Sequence, residues 1–154
     1  MHHAERDLGK RDRDYQLRQL DDITERGIKE AEILAERLKS QKVTAIVTSS
    51  YLRCKHTAEI INQYCSAPIV EDERLNEMAP EEEWKDLLIR NMSAIDDIVN
   101  SYDDDSTIIC VTSGVNFTAF ICYFYGIEPS NHVPWSQAAA ISPVIFTIGK
   151  KMLD

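Results

Sequence analysis

The chain contains no apolar run approaching the ~20 residues that a bilayer-spanning helix requires, so no membrane association is expected. Its amino-terminal stretch MHHAERDLGKRDRD lacks the apolar core of a secretory signal. Basic residues are in deficit: 17 Lys and Arg stand against 26 Asp and Glu, for a net charge of −9. A nucleic-acid binder needs a basic face to displace counterions, and this balance argues against one. Net charge says nothing of clustering, so a local cationic pocket stays open. The four cysteines, Cys54, Cys65, Cys110 and Cys122, show no C-x-x-C spacing. A cytoplasmic protein with reduced, mostly buried thiols is the expectation. A cysteine phosphatase loop needs an arginine six residues after its cysteine, and Ile60, Glu71 and Asn116 follow Cys54, Cys65 and Cys110 at that distance. A serine hydrolase elbow, G-x-S-x-G, is missing too, since the residues around Ser113 read VTSGV. Internal repeats and low-complexity linkers are absent, and no cofactor or metal is expected.

What is present is an alternation of strand and helix. The 154 residues are most simply one domain, 1–154, long enough to bury about two-thirds of the unfolded surface. The charged opening, RDLGKRDRDYQLRQLDD, has no periodic apolar face and reads as a loop. From Thr24 onward, Ile28, Ala31, Leu34, Ala35 and Leu38 recur at helical spacing, with Thr24, or Asp22 and Glu25, able to cap the start. Thr44 to Thr48 is a β-branched strand. The following YLRCKHTAEIINQYC predicts a helix with Leu52, Thr57, Ile60, Ile61 and Tyr64 inward. A short strand at Val70, a helix over Glu81 to Ser101 and a strand over Ile108 to Thr112 come next, followed by a buried helix over Phe117 to Tyr125 that ends at Gly126. The tail AAAISPVIFTIGKK predicts one or two further strands. Such alternation predicts an α/β fold, a three-layer α/β/α sandwich on a mostly parallel mixed sheet.

Two turns then share a geometry. Ser49 and Ser50 follow one strand and lead to Arg53 in the first turn of a helix. Ser113 and Gly114 follow another strand and open another helix. Parallel neighbouring strands put both turns at one sheet edge, where ligands bind. Helix starts offer unpaired backbone N–H groups there, and a guanidinium offers a fork of donors, so a phosphate-like anion is the natural ligand. Pairing of Arg53 with a surface acid such as Glu59 is the alternative.

Four stretches in order, with a fifth behind them, carry a resemblance to the histidine phosphatase superfamily, the phosphoglycerate mutase-like fold. HAER at His3 to Arg6 resembles its RHGE or RHAE motif. DITERGIKEAEILAERL resembles its LTxxGxxQAxxLAxxL helix, and TSSYLRCKHTAEII its SPLxRAxQTAxxI segment. ERLNE at Glu73 to Glu77 resembles its LxE acid motif, and ICVTSGVN aligns with the strand and turn ending in VSHGG. The resemblance implies phosphomonoester hydrolysis through a phosphohistidine on His3, with Glu77 as the acid. It implies phosphate contacts from Arg53, Ser113, Gly114, the backbone of Val115, and His2. The expected partner is a small phosphorylated substrate or phosphate-like anion.

Three departures qualify this. Ser113 stands where the family places a phosphate-contacting histidine, and His2 where it places an arginine. A catalytically degenerate pseudophosphatase, acting as an anion-binding or regulatory module, is therefore the alternative function. Arg6, Lys10, Arg11, Arg13 or His56 are candidates to compensate, while His132 reads as a loop residue. The chain is short, and no room is evident between Ile69 and Ile108 for the substrate-covering insertion of the mutases, which favours a phosphatase. Finally, only Met1 and His2 precede His3, where the family has a central strand. A sheet without it leaves backbone groups unpaired. The natural chain beginning upstream, or a strand from elsewhere filling the gap, as in a homodimer, are the expected remedies.

Overall fold

The structure is a computed structural model that describes residues 1–7 and 15–127. The final strands expected around Pro143, and His132, Lys10, Arg11 and Arg13, lie outside the described residues. The charged opening ends in a 3-10 helix over Tyr15–Leu20. Helix α1 covers Glu25–Leu38, capped by the Thr24 hydroxyl, which accepts from the Gly27 N–H at 3.0 Å. The remaining elements are β1 (Val43–Thr48), α2 (Leu52–Cys65), β2 (Ile69–Glu71), a second 3-10 helix (Glu73–Leu75), α3 (Trp84–Ser101), β3 (Thr107–Val111) and α4 (Gly114–Tyr125). The three strands form a parallel sheet in the order β2-β1-β3.

Side chains alternate across the sheet, and each face meets its own pair of helices. Ile46, Ile109 and Val111 pack with Leu34 and Ala35 of α1 and with Cys54, Ala58 and Ile61 of α2. Val47, Ile108 and Cys110 pack on the other side with Ala94 and Ile95 of α3 and Phe120 of α4. Both faces of β1 and β3 are thus covered, which is why these strands read as near-continuous apolar runs. Each fully buried aliphatic side chain contributes about 1.5–3 kcal/mol, so the two layers hold the sheet from both sides.

The inward face of α2 differs from the expected stripe. Thr57, Ile60 and Ile61 are buried as expected, but Leu52 and Tyr64 are exposed, at 37% and 41%, and Arg53, Cys54 and Ala58 are buried beside that stripe. Small residues let α2 approach α1 closely, and the two polar ones find hydrogen bonds inside: Thr57 Oγ1 donates to the Arg53 carbonyl at 2.7 Å. Helix α3 starts at Trp84 rather than Glu81, because Glu82 instead closes a turn onto the Ala79 N–H at 3.0 Å. Helix α4 starts three residues before Phe117. It ends where Gly126 adopts φ +64°, a left-handed conformation natural to glycine.

Residues 1–3 lie along the outer edge of β3. His2 is bridged in parallel to Thr112, the Thr112 N–H donates to the Met1 carbonyl at 2.9 Å, and the His3 N–H donates to the Thr112 carbonyl at 3.0 Å. Among the described residues, no strand lies against that edge from Thr107 to Ile109.

Candidate active site

The segment carrying His3 is fixed from three directions. The Ala4 N–H donates to Thr57 Oγ1 at 3.1 Å, the Glu5 carbonyl accepts from the Thr24 N–H at 2.9 Å, and Arg6 bridges Ile23 in antiparallel fashion. Gly27 permits the close approach of α1 that this needs: a Cβ there would stand 2.3 Å from the Glu5 carbonyl oxygen.

The His3 ring is oriented by its own chain. Its Nδ1 lies 2.6 Å from the Ala4 carbonyl oxygen, which can only accept, so Nδ1 carries the proton. The Nε2 lone pair is left to accept from Arg53 Nε at 3.0 Å. Burial, and then the neighbouring His2 and Arg53, hold the His3 pKa well below the usual histidine range, while the Ala4 carbonyl pulls it back only in part. His3 is neutral at pH 7.

Arg53 is fully buried, and each of its three side-chain nitrogens donates within the protein. Besides His3, Nη1 donates to the Arg18 carbonyl at 2.7 Å and Nη2 to Glu77 Oε2 at 2.5 Å. Its guanidinium also stacks 4.8 Å over the Tyr51 ring. Its acidic partner is thus Glu77, not Glu59. A buried fork of this kind presents charge and directed donors to an anion in a low-dielectric setting.

His2 lies against His3, with ring centroids 4.1 Å apart. Its Nδ1 is buried without a hydrogen-bond partner. Burial, with the amino-terminal ammonium and then Arg53 and Arg6 adding positive charge, lowers its pKa to about 4, so it too is neutral near pH 7. Ser113 occupies the N-cap position of α4 but makes no side-chain cap bond. Its hydroxyl instead donates to Asn116 Oδ1 at 2.6 Å. The first-turn N–H groups at Gly114 and Val115 therefore receive no cap from it, and they open at the carboxyl edge of the sheet.

The residues that position Glu77 escaped the motif reading. Asn116 Nδ2 donates to the Leu75 and Asn76 carbonyls at 3.3 and 2.9 Å and to Asn91 Oδ1 at 2.9 Å. Asn76 Oδ1 accepts from Ser49 Oγ at 2.7 Å and from the Ser50 N–H and Oγ at 3.0 Å. Together these amides tie the turns after β1 and β3 to the end of the 3-10 helix over Glu73–Leu75 and to Asn76, just before Glu77. An asparagine at the start of an otherwise apolar helix is the one signal that pointed to this network. Of the proposed compensating cations, Arg6 pairs with Asp21 at 3.3 Å and His56 with Asp22 at 2.8 Å. Neither of these contacts reaches His3. The thiols of Cys54, Cys65, Cys110 and Cys122 are free, with their pKa values raised by burial, that of Cys54 to about 11.

Residues 1–82 match the histidine phosphatase superfamily (branch 1). The probable phosphoglycerate mutase GpmB of Photorhabdus laumondii is 41% identical over 56 residues, 36% of this chain and 26% of that protein. The matched stretch thus spans about a quarter of the length of such relatives. Among solved structures, YhfR of Bacillus stearothermophilus superposes with a TM-score of 0.74 at 24% identity, covering 91% of this chain and 83% of its own. A mycobacterial glucosyl-3-phosphoglycerate phosphatase complexed with VO3 superposes with a TM-score of 0.67 at 17% identity, covering 91% and 84%. These likenesses bear on the fold. No described helix is long and apolar enough to cross a membrane.

Proposed function

Because the chain belongs to the histidine phosphatase superfamily, branch 1, we propose that it hydrolyses phosphomonoesters by passing the phosphoryl group through His3. One observation carries the reading: Arg53 donates to the free lone pair of His3 at 3.0 Å and reaches the Glu77 carboxylate at 2.5 Å. An imidazole, a guanidinium and a carboxyl group in one buried cluster are the groups phosphoryl transfer needs.

In this reading an entering phosphoryl dianion takes over the Arg53 donors now held by His3 Nε2, Glu77 and the Arg18 carbonyl, which frees the Nε2 lone pair, with the α4 N–H groups at Gly114 and Val115 assisting. His3 Nε2 attacks phosphorus, the bond to the ester oxygen breaks, and Glu77 gives that oxygen its proton. The positive charge gained by the ring is met by the Ala4 carbonyl on Nδ1. Water then attacks phosphorus and yields its proton to the Glu77 carboxylate. The phosphorus–nitrogen bond breaks, and inorganic phosphate and neutral His3 remain.

Hydrolysis of a generic aryl phosphate tests this. Activity is expected to vanish in His3→Ala, and rapid quenching of the wild type is expected to trap an acid-labile, base-stable phosphoryl label. Undiminished activity in His3→Ala would refute the role given to His3.

A second reading, a pseudophosphatase that binds anions without turnover, is favoured by the same pocket. His2 is held neutral, and the Ser113 hydroxyl is committed to Asn116. Loss of one preorganised donor commonly costs about 2.7–4 kcal/mol of transition-state stabilisation, so turnover is expected to be slow. Vanadate or phosphate raising Tm through Arg53, with no product formed, selects this second reading.

A further inference from the structure

A cavity of about 720 Å³ opens beside the cluster, with Glu77 in its wall and Val115, from the first turn of α4, at its side. Resting on the phosphatase reading above, we infer that this cavity receives the alcohol portion of the ester and selects against alcohols that carry a carboxylate. Apolar and cationic alcohols are the class it fits.

Position comes first. The ester oxygen must leave phosphorus within reach of Glu77, and the carbon chain behind it then extends into the space that Glu77 borders. The volume suits a small organic group, since ligand pockets commonly span about 300–1,000 Å³. The walls supply apolar contact from Met78, Pro80 and the half-buried Trp84. An indole face attracts both aromatic rings and organic cations.

Charge decides the rest. Besides Glu77, the lining carries Glu82 and Glu83 against a single cation, Lys85. A substrate carboxylate is best held by an arginine fork. The fork on α3 is Arg90, and it is consumed: Nε and Nη2 donate to Glu82 at 2.6 and 2.9 Å, and Nη1 donates to the Arg74 carbonyl at 2.5 Å. Arg74 is likewise engaged, by Asp72 at 2.7 Å and Asp97 at 2.6 Å. Lys85 is exposed, and Glu83, two residues before it, offsets its charge. A carboxylate entering here gives up hydration, meets no uncompensated cation, and gains no fork in return.

Isothermal titration of the 154-residue chain with four probes tests the inference: inorganic phosphate, phenyl phosphate, phosphocholine and 3-phosphoglycerate. Phenyl phosphate and phosphocholine are expected to bind at least about tenfold more tightly than 3-phosphoglycerate at low ionic strength. Added salt should narrow the gap between phosphocholine and 3-phosphoglycerate, whose alcohol portions carry opposite charges. Glu83→Lys should cut the preference at least about threefold and leave inorganic phosphate unchanged. Glu83 is exposed and makes no side-chain cap bond to α3, so this variant keeps the fold. Trp84→Ala should weaken phenyl phosphate selectively. Equal or tighter binding of 3-phosphoglycerate by the wild type, or a Glu83→Lys protein with unchanged preference, overturns the inference while the phosphatase reading stands. Failure to bind inorganic phosphate or any ester removes both.

Discussion

Replacement of Asn116 by alanine probes how the candidate site is held together. Asn116 is fully buried and serves four partners: it accepts from Ser113 Oγ and donates to Asn91 Oδ1 and to the carbonyls of Leu75 and Asn76. The Leu75 carbonyl keeps a second bond, from Thr112 Oγ1 at 2.6 Å, so its loss is small. Ser113, Asn91 and the Asn76 carbonyl are each left without this donor or acceptor. A buried group deprived of its partner costs about 1–3 kcal/mol. A water entering the vacated space recovers part of that. The expected loss of unfolding free energy is about 3 kcal/mol, read from urea denaturation with an unchanged slope. A second readout separates positioning from bulk stability. Because the network holds the segment leading to Glu77, kcat on an aryl phosphate should fall about tenfold at temperatures where the variant is fully folded. A cycle with Asn91→Ala should show coupling above about 0.5 kcal/mol. A loss under about 1 kcal/mol, or strict additivity of the two substitutions, would refute the network as described.

Gly27→Ala would drive a Cβ to 2.3 Å from the Glu5 carbonyl oxygen, a backbone atom that cannot swing aside. Overpacking of this kind costs about 1–3 kcal/mol, and it should lower both Tm and activity by shifting the segment that carries His3. A variant with unchanged Tm would mean that α1 does not approach so closely. For pH, His2 and His3 are depressed in the folded protein, so the unfolded chain binds more protons below pH 6.5. Their contribution to stability is fully present above about pH 6.5 and is lost as pH falls toward the folded values. For His2 alone, a fall from 6.5 to about 4 corresponds to on the order of 3 kcal/mol. Tm measured between pH 7 and 4.5 should decline, and His2→Gln should flatten part of the decline; a flat wild-type profile contradicts the burial. Ser113→His should raise aryl-phosphate hydrolysis at least about tenfold, roughly 1.4 kcal/mol of transition-state stabilisation, net of the lost bond to Asn116. The gain should disappear when His3→Ala is added, and a folded variant with unchanged rate and vanadate affinity would remove Ser113 from the site.

Much of the architecture was legible before any coordinates. Alternating strand and helix periods and the Thr24 cap pointed to an α/β fold, and the resemblance carried by the order of the motifs put forward His3, Arg53, Glu77 and the Ser113 turn as candidate site residues. These signals are local, set by side-chain spacing and by which residues tolerate a turn. Other features required the packed chain. The convergence of His3, Arg53 and Glu77 joins segments 50 and 24 residues apart, and no spacing rule reports it. The inward face of α2 was misjudged at Leu52 and Tyr64, which are exposed, and at Arg53, which is polar and whose burial only tertiary hydrogen bonds make favourable. Ser113 looked available to an anion until Asn116 proved to hold its hydroxyl. The protonation states of His2 and His3 likewise follow from desolvation, a property of the folded interior rather than of the sequence.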